Sequence, residues 1–136
     1  MANLGICIEN MYKMDLKILV DKNVKFKHMK DGDKEDYLLL QEYEEKYVSL
    51  TYERIIEELS RQGQNTMEGY KISRLDHGLQ SATRAYNDGA DIDWIVGTLL
   101  HDIGDGLAPQ NHDRFSAEVI RPYVREEVTW VVEHHG

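Results

Sequence analysis

The stretch Asp91-Ile92-Asp93-Trp94-Ile95-Val96-Gly97-Thr98-Leu99-Leu100-His101-Asp102-Ile103-Gly104 decides how the rest of the chain is read. Ile92, Ile95, Val96, Leu99 and Leu100 recur at the spacing of one helical face, and Asp91 stands where an N-cap belongs. The segment predicts a strongly apolar helix ending near Gly104. Such a helix belongs in a packed core, yet it closes on a charged pair. Burying Asp102 without a partner would cost several kcal/mol, so the pair needs an explanation. A divalent cation is the economical partner. An N–H-rich loop or a buried salt bridge is the competing one.

Helical signals continue on both sides. Ile72 to Asn87 fits a helix that closes at Asp88-Gly89. Before it, Ser49 or Thr51 can start a helix carrying Ile55, Ile56 and Leu59 and stopping at Gly63, and Gln64 to Gly69 reads as a loop. Asp33 can cap a helix running to about Lys46, with Tyr37, Leu40, Tyr43 and Tyr47 on one side. Downstream, Asn111 can cap a fifth helix that Pro122 limits, and a last one runs from about Arg125 to His135. Leu16-Lys17-Ile18-Leu19-Val20 fits either a strand or a helical turn. With two prolines and no convincing alternating strand, the chain predicts an all-α fold. We expect a compact helical bundle of five to six helices over residues 31–136, preceded by an N-terminal segment, 1–30, of unassigned role.

The bulk properties fit one domain. The chain has 136 residues, 41% hydrophobic and 30% charged, enough to build a core without staples. The single Cys7 can form neither an internal disulfide nor a Cys-based zinc site, which favours a reducing compartment. A net charge of −9 with scattered lysines argues against nucleic acid and anionic membrane as partners. No apolar run approaches a bilayer span, and Leu4 to Ile8 is too short for a signal-peptide core. These features predict a cytoplasmic protein, with homo-oligomerisation left open.

Four histidines in the second half, His77, His101, His112 and His135, fall on or at the ends of successive helices. Inward-pointing side chains from separate helices are how bundles build metal sites. Helical phase puts His135 on the buried face with Val128 and Val132, and leaves His134 as a solvent-facing group or one that supports the ligands. His112 shares a stripe with Phe115, Ser116 and Val119, and His101 continues the face of Val96-Gly97 and Leu100. His77 lies nearly opposite Leu75, Leu79, Ala82 and Tyr86, so it serves as a ligand only if that side faces a polar cleft. His28, in a distant polar stretch, reads as an ordinary surface or core residue. Imidazoles with a carboxylate suit iron, manganese or zinc. Asp76, Asp105 or Glu133 are the expected partners that set the imidazole tautomers.

His77 followed by Leu99-Leu100-His101-Asp102-Ile103-Gly104 resembles the HD-domain superfamily of metal-dependent enzymes, over roughly Tyr70 to Gly136. The resemblance implies His77, His101 and Asp102 as metal ligands, with Asp102 bridging and catalytic. It implies His112 and His135 as the extra ligands of a dinuclear branch that includes myo-inositol oxygenase, phosphonate-cleaving oxygenases and some phosphodiesterases. Arg74-Leu75-Asp76-His77-Gly78-Leu79-Gln80, Asn111-His112-Asp113 and Val132-Glu133-His134-His135 look closest to the phosphonate-cleaving kind. There Glu133 matches an acid two places before the fourth ligand, which selects His135 over His134. Tyr70 stands where those oxygenases carry an acidic residue near the iron, and Asp105 where they carry a histidine. The family pattern also has a further Asp ligand downstream, whereas this sequence stops one residue after His135. The reading favoured here is a truncated form of a longer protein; the alternative is a shortened relative with a weakly held second metal.

By this resemblance the protein is expected to be a diiron oxygenase acting on a small polar, phosphonate-type substrate, with two metal ions, iron before manganese or zinc. The first alternative is an HD-type phosphohydrolase of a phosphate ester or nucleotide. The second is an inactive or non-catalytic domain.

Overall fold

The computed structural model describes residues 23–136. Leu16 to Val20 and Cys7 lie outside the described residues. Those residues form six α-helices and one short 3-10 turn with no strand, as the all-α reading expects. They divide into two units that meet in sequence at Thr51 and Tyr52.

In the first unit, helix α1 spans Lys34–Ser49. Asp33 starts it with a capping box: its side chain accepts from Asp36 N at 3.0 Å, and Asp36 accepts from Asp33 N at 3.2 Å. The same Asp36 accepts from Lys25 N at 2.9 Å and is the buried residue of the helix. The tyrosines on the expected face are not a buried stripe, since Tyr37 and Tyr47 stay exposed. A polar cap, rather than an apolar face, organises this segment.

The second unit holds α2 (Thr51–Gln62), α3 (Arg74–Asn87), α4 (Ile92–Leu100), α5 (His112–Ile120) and α6 (Glu126–Glu133). Leu59 of α2, Leu100 of α4, Ala117 and Ile120 of α5 and Val132 of α6 meet around Ile103 in one buried cluster. α3 packs on α4, α5 on α6, and α4 also touches α5 and α6. Two glycines permit close approaches between helices. A Cβ on Gly78 of α3 would stand 2.6 Å from the Leu99 carbonyl oxygen of α4, and one on Gly97 would collide with Val128 of α6.

Several helix ends differ from expectation. α3 begins at Arg74 because Ser73 and Asp76 form a capping box there. α4 stops at Leu100 rather than near Gly104. The chain then turns repeatedly, with Ile103 N donating to Leu100 O, Asp105 N to Asp102 O and Leu107 N to Gly104 O. Residues 102–105 are buried although they are not helical, so their backbone needs partners. Gln62 Nε2 donates to Ile103 O at 2.9 Å, and Gly104 N donates to the buried Ser116 Oγ at 3.0 Å. Asn111 occupies the N-cap position of α5, but its side chain makes no capping bond. α6 ends at Glu133, two residues short of His135.

Gly78→Ala should lower stability by about 1–3 kcal/mol, because the α3–α4 crossing must open by more than the better helix propensity of Ala returns. Urea unfolding of the two forms measures it. An unchanged or raised midpoint would mean that the helices do not touch there.

Candidate metal centre

Asp102 is the centre of the site. It sits in the first turn after α4 with its side chain 9% exposed, and both carboxylate oxygens face imidazole nitrogens. Oδ2 lies 3.7 Å from His77 Nε2 and 3.6 Å from His101 Nε2. Oδ1 lies 3.3 Å from His112 Nε2 and 3.3 Å from His135 Nε2. His77 Nε2 and His101 Nε2 are 3.1 Å apart. The rings follow one another with centroids 5.0, 5.0 and 5.1 Å apart, from His77 to His101, His135 and His112. All five sequence-selected ligands are brought together, including His77, whose helical phase looked unfavourable.

Three of the four rings are oriented in the same way. His101 Nδ1 donates to Thr98 O at 2.7 Å, His112 Nδ1 to Pro109 O at 3.1 Å, and His135 Nδ1 to Val132 O at 2.6 Å. A carbonyl can only accept, so each Nδ1 carries a proton, and in the neutral imidazole each Nε2 then presents a lone pair to the cluster. The expected partners, Asp76, Asp105 and Glu133, do not have this role. Asp76 is held by the cap at Ser73, Asp105 by Arg74 and Glu133 by Arg121. Helix C-termini leave carbonyls without N–H partners, and His101 and His135 use two of these.

In their neutral forms His101, His112 and His135 turn lone pairs toward a carboxylate that also only accepts, and the 3.3 Å contact of His135 Nε2 with Oδ1 is a hydrogen bond only with a proton on Nε2. A metal cation, or protons on Nε2, reconciles such a set. With metal–nitrogen bonds of about 2.0–2.1 Å, two donors on one ion stand roughly 3.0–3.4 Å apart. The separations at Oδ1 and between His77 and His101 match that edge length, and those at Oδ2 are slightly longer. Two groups can each hold a metal ion: His77, His101 and Asp102, and Asp102, His112 and His135. Both are two-histidine, one-carboxylate sets, a donor type suited to non-haem iron. The protonation states agree. Burial, opposed by the Thr98 carbonyl and Asp102, holds His101 below the ordinary imidazole value. Burial alone would push Asp102 up, but the Arg74 guanidinium and those facing imidazoles that carry a proton on Nε2 outweigh it and keep the carboxyl below its usual range.

Arg74 is the residue that sequence reasoning missed. Its Nη1 donates to Asp102 Oδ2 at 3.1 Å and its Nε to Asp105 Oδ2 at 2.8 Å. Asp102 thus has a buried salt bridge as well as the imidazoles. The available signal was its place one helical turn before His77. Tyr70 lies over the Arg74 guanidinium, 5.2 Å from ring centroid to Cζ. Tyr70 also lines a cavity of about 110 Å³ with Met67, Ile72, Ser73, Arg74 and His77. Asp105 is buried against Arg74 rather than among the imidazoles. His134 is exposed and stacks on Trp130, with centroids 4.5 Å apart. His28 is an exposed residue of the first unit.

No protein-family model matches the chain. It is 31% identical, over an 86-residue alignment covering 55% of its length, to the [1-hydroxy-2-(trimethylamino)ethyl]phosphonate dioxygenase (glycine-betaine-forming) of Leisingera caerulea. The alignment spans 44% of that relative, so the chain matches less than half the length of the curated protein. The chain is a distant relative of an enzyme and carries a His/Asp cluster able to hold metal. No described helix is long and apolar enough to cross a membrane.

Adding Fe(II), Mn(II) or Zn(II) should raise the unfolding temperature. Saturation at 100 times the dissociation constant corresponds to about 2.7 kcal/mol. His101→Ala should reduce the shift, through loss of the position it shares with His77, while the far-ultraviolet helical signal stays intact. A shift of undiminished size in this variant would remove His101 from the ligand set.

Proposed function

We propose that the protein is a metal-dependent oxygenase of HD type, holding two iron ions and acting on a small polar substrate of the phosphonate class. The observation that carries this reading is the placement of one carboxylate, Asp102, between two pairs of imidazoles. Support for the reaction class comes from the distant dioxygenase relative. The ligands would be His77, His101, Asp102, His112 and His135, with manganese or zinc as substitutes for iron.

The metals, when bound, supply Lewis acidity toward substrate oxygens and electrons for dioxygen. The chain's own residues do the positioning. Thr98, Pro109 and Val132 carbonyls keep three Nε2 lone pairs aimed inward. Asp102, the catalytic carboxylate of this reading, links the two halves of the site and is held ionised by the Arg74 guanidinium. The Met67, Tyr70 and Ile72 side chains give the adjoining cavity an apolar wall at the His77 side, where a substrate can exclude water.

Protein prepared with ferrous iron should contain two irons per chain and show the paramagnetic signal of a mixed-valent pair after partial oxidation. It should consume dioxygen with a hydroxyalkylphosphonate and release inorganic phosphate. Hydrolysis of a phosphodiester or nucleotide with Mn(II), without oxygen, would replace this reading by the phosphohydrolase. Metal binding without either activity would favour a non-catalytic domain.

A further inference from the structure

The two halves of the site are built unequally. Oδ1 of Asp102 meets two imidazoles, at 3.3 Å each, and both rings have Nδ1 bound to a carbonyl. Their side chains are each 22% exposed. Oδ2 meets its two imidazoles at 3.7 and 3.6 Å and also accepts from the Arg74 guanidinium at 3.1 Å. On that side His77 is 41% exposed, and it lies inside α3, where the helix itself uses the backbone carbonyls. One lone pair of Oδ2 is therefore taken, one of the two rings is less fixed, and a fixed positive charge stands beside the position.

We propose that the two cation positions around Asp102 are unequal: the one formed by Oδ1, His112 and His135 fills first and more tightly, and Arg74 weakens the other, formed by Oδ2, His77 and His101. The inference rests on the two-metal reading above. Two physical terms set the order. A cation entering the Oδ2 side meets repulsion from a guanidinium only 23% exposed, where water screens poorly. Asp105 softens that charge through its bond to Nε but leaves Nη1 on Oδ2. The same cation must also order the His77 ring, whereas His112 and His135 are already oriented. The Oδ2 position is the one that borders the cavity lined by Arg74 and His77. The loosely held ion would then be the one that a substrate reaches from there.

Mn(II) titration of the 136-residue chain, followed by calorimetry and electron paramagnetic resonance, tests the order without catalysis. Two steps should appear, separated by roughly ten-fold or more in affinity. His112→Ala should remove the tighter step, and His77→Ala the weaker one while leaving the tighter unchanged. Arg74→Gln should tighten the weaker step by about ten-fold and leave the other in place. Equal affinities, or loss of the tighter step in His77→Ala with its retention in His112→Ala, would overturn the inference. Weakening of the second step in Arg74→Gln would show that the guanidinium positions Asp102 rather than opposing the metal, which also overturns it. Should Arg74→Gln lose its helical signal, the comparison of the two histidine variants still decides. If no histidine change alters Mn(II) binding, the metal reading itself fails; a reversed order removes only this inference.

Discussion

A carboxylate inside a protein has to be answered by positive charge or by hydrogen-bond donors, and much of this second unit is arranged around that demand at Asp102. Arg74 answers it at Oδ2. What faces the rest of the group is unusual, because His101, His112 and His135 have committed their Nδ1 protons to carbonyls. Acceptors facing an acceptor repel. The arrangement is favourable when something positive stands among them, and at His101 burial disfavours the charged imidazole. Helices α3, α4, α5 and α6 deliver one histidine each, from within the helix or at its end, so the site also ties the unit together.

The orientation of the rings is a local property, and this explains part of what could be read in advance. In all three cases the accepting carbonyl belongs to the residue three places earlier, Thr98, Pro109 or Val132. His101 and His135 stand at or just past the ends of α4 and α6, where carbonyls lack helical partners. Periodicity located those ends to within a few residues, and the apolar run before His101 marked its helix as core. The partners of the rings were not legible, because a carboxylate near a histidine in sequence is an equally good candidate until the helix ends are known. Asp76 illustrates the ambiguity: adjacent to His77, it serves the cap of α3 instead.

Arg74 was hidden for a different reason. Within a helix start that carries a capping box, a charged residue reads as part of the solvated first turn. Its contacts with Asp102 and Asp105 span 28 and 31 residues and depend on the α3–α4 packing. His77 was doubtful on the same helix because Leu75, Ala82 and their neighbours define a different buried side. α3 resolves this by having two occupied faces, with Leu75 against the core cluster and Arg74 and His77 toward Asp102. A single-face rule cannot represent that. The tyrosines of α1 mark the opposite failure, where helical spacing was present but burial did not follow it.

The four residues from His101 to Gly104 each have a separate physical task, which is why they occur together. His101 terminates α4 and turns its Nε2 inward through Thr98. Asp102 supplies the negative charge shared by both imidazole pairs. Ile103 is buried in the cluster with Leu59, Leu100 and Ile120, and its carbonyl accepts from Gln62, so the turn is anchored rather than free to swing outward. Gly104 makes room: a Cβ there would stand 2.7 Å from Phe115 Cδ1, and its N–H reaches the buried Ser116. Both contacts are with α5, the helix that begins with His112. A larger residue at 104 would push that helix away and lengthen the reach of His112 to Oδ1. The glycine is thus as much a condition of the second imidazole pair as the histidines that form it.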